Sequence, residues 1–171
     1  MSFKINVEIR DEGVKTLLTN IRTRLDNLRP AMVIIGEIVQ ASVIRNFEEG
    51  GRPAKWDPSG RARATGGKTL VDKGIGGGLE GSISYRASTN SVAIGTNKKY
   101  AAIHQFGGKT AAHIIRPKNK AALFWPGAGH PLKSVNHPGS RIPARPYLMV
   151  QDKDWAEIRA ALARYMTGGK P

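Results

Sequence analysis

The chain has 171 residues, with 27 Lys and Arg against 13 Asp and Glu, a formal net charge of +14 and no cysteine. That length suits one domain, residues 1–171, with a real core; the absence of cysteine excludes disulfides and thiolate chemistry and fits synthesis in a cytoplasm. No apolar run approaches the ~18 residues of a membrane span, and the first residues lack the apolar core of a secretory signal, so no membrane partner is expected. The charge is uneven. Residues 1–50 hold seven cations and seven acids, whereas residues 51–150 hold sixteen cations against Asp57, Asp72 and Glu80. A field concentrated in this way favours a polyanion or an acidic protein surface.

In chain order, Phe3, Ile5, Val7 and Ile9 alternate with polar residues, which predicts a half-buried N-terminal strand. Asp11 is placed to cap a helix in which Val14, Leu17, Leu18, Ile21, Leu25 and Leu28 form one stripe. Pro30 breaks that helix and suits the first turn of a second, Ala31 to Phe47. The short link predicts an antiparallel helical hairpin. The second helix is apolar on more than one face, so it needs more than one cover. A domain core supplies one; a neighbouring subunit, reached through Ile34 and Ile38, is expected to supply the other. Gly50 is available as its left-handed cap.

Residues 50–69 are rich in Gly, Pro and basic side chains, with Trp56 as the only large apolar anchor, and read as a long mobile loop. Ile83–Arg86 and Ser91–Gly95 read as a hairpin, and Tyr100–Phe106 as a short helix or turn ended by Gly107-Gly108. Residues 108–140 form a second long basic loop. Ile114-Ile115 and Ala121–Trp125 are possible partner strands within it, and the Pro and Gly residues from Pro126 to Gly139 exclude regular structure beyond. Ile142–Val150 reads as extended chain entering a strand, its prolines favouring the edge or the start. Asp152 is placed to cap a last helix with Trp155, Ile158, Leu162 and Tyr165 or Met166 on one stripe.

Catalytic signals are weak. Gly76-Gly-Gly-Leu-Glu-Gly81 fits Gly-x-Gly-x-x-Gly but precedes a strand rather than a helix, and no Walker lysine follows. His104, His113, His130 and His137 lack metal-ligand spacing. Ser82 and His104 have no recognisable third member, so neither an enzyme nor a cofactor is expected. Aromatics interleaved with Lys and Arg allow base stacking, although most fall where core burial is the simpler role. Arg145, between Pro143 and Pro146, fits an exposed charge on a stiff loop, a forked ion pair fixing that loop, or a subunit contact.

Three segments carry a resemblance. Leu70, Leu79, Ser82 and Ile83 lie in the Gly-rich stretch, followed by Val92, Gly95 and Thr96. Tyr100-Ala-Ala-Ile-His-Gln-Phe-Gly107 and Ile142-Pro-Ala-Arg-Pro-Tyr-Leu148 come after. In this order, from about Phe47 to Leu148, they resemble the virion morphogenesis (tail-completion) family of tailed bacteriophages. The run Gly76–Gly78 is longer than the family pattern requires, which implies a remodelled loop there.

The resulting expectation is an α+β fold: an N-terminal strand and helical hairpin packed on an antiparallel sheet, a C-terminal helix, and long basic loops. The resemblance implies a structural virion protein of a Mu-like phage. It would be a subunit of a neck ring, first choice a hexamer, that joins tail to head and is assembled in the host cytoplasm. Its partners would be copies of itself, connector or other neck proteins, the tail tube or its terminator, and packaged DNA through non-specific contact. Arg145 and Tyr147 join Ile34 and Ile38 as expected subunit contacts. Arg52, Lys55, Arg61, Arg63, Lys68, Lys118 and Lys120 are the expected polyanion or partner contacts. The alternative is a stand-alone, non-specific nucleic-acid-binding protein.

Overall fold

The computed structural model describes residues 11–71, 78–125 and 127–168. The strand expected at Phe3–Ile9 and most of the Gly-rich stretch lie outside these residues. The helices are α1 (Glu12–Leu25), α2 (Arg29–Glu49), α3 (Gly60–Thr65), α4 (Ala101–Phe106) and α5 (Asp152–Thr167). The strands are β1 (Ser84–Ala87), β2 (Val92–Gly95), β3 (Gly108–Lys109), β4 (His113–Ile115), β5 (Val135–His137) and β6 (Arg141–Ile142). The class is α+β, as expected. Among the described residues the strands form three antiparallel pairs, β1–β2, β3–β6 and β4–β5, in place of one larger sheet.

α2 is the central element. Pro30 sits in its first turn, and Gly50 closes it at φ 70°, with its N–H on the carbonyls of Asn46 and Phe47. One face meets the β1–β2 hairpin. Gly36 gives up a side chain there, and a Cβ at that position would run into the Tyr85 ring. Gln40 Nε2 ties the same face to the Ile83 carbonyl at 2.8 Å. Another face, carrying Ser42 and Asn46, meets α5 and the Tyr147 segment. Both covers therefore come from the same chain, and Ile34 and Ile38 are left half-buried, Ile38 against the core. The core itself joins Val39, Val43 and Phe47 of α2 to Leu79, Ile83, Ala101, Tyr147 and Ile158.

The expected antiparallel pairing of the first two helices does not form. α1 and α2 meet at a bend of 68°. Asp26 and Leu28 both keep right-handed helical angles, so the link turns the chain without reversing it. α1 packs on α5 instead: Arg24 lies 5.6 Å over the Tyr165 ring, and Tyr165 donates its hydroxyl to Asn27 O at 2.7 Å. No α1 residue is buried. Among the described residues no single helix is long and apolar enough to cross a membrane.

Three local expectations are corrected. The cap of α5 is Gln151, not Asp152: the Asp154 carboxylate accepts the Gln151 N–H at 2.7 Å in a reciprocal capping box. Residues 50–69 are not structureless, since Ser59 caps α3 by accepting from Ala62 N. Residues 108–140 contain a long hairpin. Ile114 and Ile115 pair with Asn136 and Val135, and Leu123 bridges to Leu132. The three residues of β5 fit between Pro131 and Pro138, so the prolines flank the ladder without interrupting it.

Candidate functional site

The two segments that carry the resemblance meet in space. α4 presents the Gln105 side-chain oxygen to the backbone N–H groups of both Tyr147 and Leu148, each at 3.0 Å. Arg145 N donates to His104 O at 2.7 Å, and Tyr147 OH donates to Ala101 O at 3.3 Å. The β3–β6 pair continues the clasp, with Gly108 opposite Ile142. Gly107 makes this closeness possible. It holds φ 72°, and a Cβ there would lie 2.8 Å from Ala144 N. The motif is thus a structural clasp that fixes the extended Ile142–Leu148 chain across the core.

That chain also anchors the loop after α2. Asn46 Nδ2 donates to Tyr147 O at 2.7 Å, and Trp56 Nε1 donates to Pro146 O at 3.2 Å. Phe47 stacks edge-on to Trp56 and at a tilt to Tyr147. Arg145, 6% exposed, gives its Nε to Asp57 O at 3.0 Å, so its charge is held inside the loop junction. Burial lowers its pKa from the usual arginine value. Tyr147 is 1% exposed, and its burial raises the phenol pKa. Both side chains, expected at a subunit contact, are turned into the subunit.

Arg52 is likewise turned inward. Its guanidinium donates to Ser42 O at 2.6 Å, Ser42 Oγ at 2.7 Å and Asn46 Oδ1 at 2.8 Å. Ser42 Oγ in turn donates to the Asp154 carboxylate. Ser42, Asn46 and Asp154 are buried, and this network joins α2, the following loop and the start of α5. Sequence reasoning placed none of these three in a network. The available signal was Ser42 and Asn46, one turn apart on an otherwise apolar helix. Lys55 pairs with Glu49 at 3.8 Å but stays largely exposed. Arg61 spans the carbonyls of Lys68 and Val71 at 2.8 and 2.6 Å. Arg63, Lys68, Lys118 and Lys120 are exposed. Of the seven expected contact cations, then, four point outward, Lys55 does so partly, and Arg52 and Arg61 hold backbone.

His104 sits over Tyr100 at 5.9 Å, its Nδ1 buried without a hydrogen-bond partner. Burial, and then the Arg145 charge, lower its pKa. Ser82, its suggested companion, bonds Leu79 O and the Thr96 hydroxyl, at the foot of the β1–β2 hairpin. His113 and His137 face each other across β4–β5 with ring centres 5.1 Å apart. Among the described residues no three His, Cys, Asp or Glu side chains converge as metal ligands would.

Among the described residues, exposed large apolar side chains gather on two elements, besides Tyr100, Phe106 and Trp155 elsewhere. The β4–β5 arm is wet on both faces of β4 and exposes Ile114, Ile115, Phe124 and Trp125. α1 exposes Val14, Leu17, Leu18 and Leu25 along its stripe.

The model of the phage virion morphogenesis family matches residues 9–167 of this chain. The chain belongs to that family. Mu-like prophage FluMu G protein 2 of Haemophilus influenzae is 32% identical over 162 residues, covering 94% of this chain and 95% of that protein. No solved structure matches this chain. The resemblance read from the three segments therefore extends across almost the whole chain, and the protein is a virion-associated morphogenesis protein of a phage.

Proposed function

We propose that this protein is a non-catalytic ring subunit at the head–tail neck that completes the tail and joins it to the head. The observation that carries this reading is the use of the family motif. Tyr100–Gly107 and Ile142–Leu148 are spent on internal backbone bonds, with Gln105, Arg145 and Tyr147 holding chain to chain. A motif that builds a scaffold leaves function to surfaces, and the large uncovered surfaces of this subunit are apolar and basic. Similarity along 95% of a Mu-like prophage protein supports a place in that kind of particle. Copies arranged as a hexameric ring match the sixfold symmetry expected of a phage tail.

In this reading the outward cations Arg63, Lys68, Lys118 and Lys120 grip acidic surfaces of a neighbouring ring, with fixed and paired contacts. Non-specific attraction to packaged DNA is the second role of the same field, and it falls steeply with salt. A phage whose copy of this gene is silenced is expected to accumulate DNA-filled heads beside finished but unattached tails, with joining restored by the protein supplied in trans. Normally joined particles, or a lack of heads or tails altogether, would overturn the reading.

A further inference from the structure

The clasp leaves one of its own side chains unused. α4 gives the Ala101 and His104 carbonyls and the Gln105 side chain to the Ile142–Leu148 chain. Phe106, next in the same helix, is 78% exposed, the most of any large apolar side chain among the described residues. It borders a cleft of about 510 Å³ whose wall includes Ile142, Pro143 and Ala144.

Two cations line the same cleft, Lys109 and Arg141. They stand directly opposite each other in the β3–β6 ladder. Directly opposite residues of an antiparallel pair project from one face, with Cβ atoms about 5 Å apart, and like charges there repel. Both side chains are exposed, and among the described residues no ion pair includes them and no acid lines the cleft. Residues 81–151, which contain the whole ladder, hold no Asp or Glu.

An anion between the two cations turns that repulsion into attraction from both sides. A carboxylate suits the position: the Arg141 fork takes it with two parallel N–H···O bonds, and Lys109 adds a point charge. The apolar wall then chooses among anions. A nucleic-acid phosphate needs only the charge and leaves Phe106 in water. An Asp or Glu on an apolar protein segment uses the cations and Phe106 together.

We propose that Lys109, Arg141 and Phe106 form a docking site for a carboxylate-bearing, partly apolar segment of the neighbouring ring protein. This rests on the neck reading above and deepens it by naming a surface and the chemistry of its partner.

The test uses phage carrying altered copies of the protein. Lys109→Gln with Arg141→Gln relieves the repulsion, so the free subunit should keep or raise its urea midpoint. Joined particles should fall roughly tenfold or more, the scale of losing a charged contact. Phe106→Ser should lower joining likewise at an unchanged midpoint. A lowered midpoint in both variants makes these residues structural and overturns the proposal. Normal joining by both overturns the docking site and leaves the neck reading intact. For the occupant, Phe106→p-benzoylphenylalanine is irradiated in purified particles. The expected product is a cross-link to a different virion protein, at a peptide bearing Asp or Glu. Cross-linking to packaged DNA or to a second copy overturns the choice of occupant, and protein left uncross-linked in joined particles overturns the site. Absence of the wild-type protein from particles overturns the neck reading itself.

Discussion

α2 and the arm are both rich in large apolar side chains, yet Val43 is 1% exposed and Ile114 is 55% exposed. The difference lies in what the same chain brings to each. α2 receives a hairpin on one face, where Gly36 makes room for Tyr85, and α5 with the Tyr147 segment on another. β4 receives only β5 along one edge. Apolar residues therefore have two uses here. In α2 they specify the subunit; in the arm, and along α1, the same chain leaves them uncovered. Substitutions should separate the two: α2 variants should lose stability, and arm variants should lose assembly at unchanged stability.

The largest effect is expected at Phe47, fully buried between Trp56 and Tyr147. Phe47→Ala should cost about 3–5 kcal/mol, as large aromatic deletions in cores do, read as a shifted urea midpoint. A cost under about 1 kcal/mol would mean that α2 is not the centre of the fold. Asp154→Ala comes next. It removes the carboxylate half of the α5 capping box and takes the acceptor from the buried Ser42 hydroxyl. A loss of about 2–4 kcal/mol follows from an unsatisfied buried group plus a lost cap.

These two residues also mark how far the sequence can be read. Phe47 was legible as part of an apolar helix, and the helical and hairpin segments near residues 12–49, 84–95, 101–106 and 152–167 follow from local period and turn residues. The role of Asp154 was not, because by residue type Asp152 is a better cap candidate than Gln151; the carboxylate that completes the capping box is fixed by Ser42, 112 positions away. The arm was misread for a related reason. Ile114 and Ile115 are locally strand-like, but their partners Asn136 and Val135 lie across a Pro- and Gly-rich stretch whose composition suggests no ladder. Arg52 looked like an outward charge, and Arg145 stayed open between an exposed charge, a loop-fixing pair and a subunit contact, because their acceptors are backbone carbonyls and small polar side chains that no spacing rule connects to them.

Ile38 and Ile34 probe the boundary between the two uses. Ile38 packs on the core, so Ile38→Glu should destabilise the subunit by about 2 kcal/mol through burial of a charge-bearing group. Ile34→Glu should cost less and, if α2 also contributes to a subunit contact, should lower incorporation into particles. Equal stability loss with normal incorporation would confine both residues to the subunit. For the arm, Ile114→Ser with Phe124→Ser should leave the urea midpoint within about 0.5 kcal/mol of wild type while reducing joined particles at least tenfold. A stability loss comparable to that of Asp154→Ala would erase the contrast between arm and helix.

The smallest effect is a pH dependence at the clasp. The His104 pKa lies below its ordinary 6.5 because the ring is buried and Arg145 is close. The folded protein therefore resists a proton that the unfolded chain accepts. Stability from this group is complete above about pH 6.5, declines as pH falls through the window between the unfolded and folded values, and levels off below the folded value. Most carboxylates stay ionised down to about pH 5, so the interval from pH 7.5 to 5 isolates histidine. Thermal unfolding of wild type and His104→Gln across that interval should show a stability difference that is constant at the upper end and moves against the wild type as pH falls. If His104→Gln keeps the full pH dependence of the wild type, the clasp is indifferent to acid.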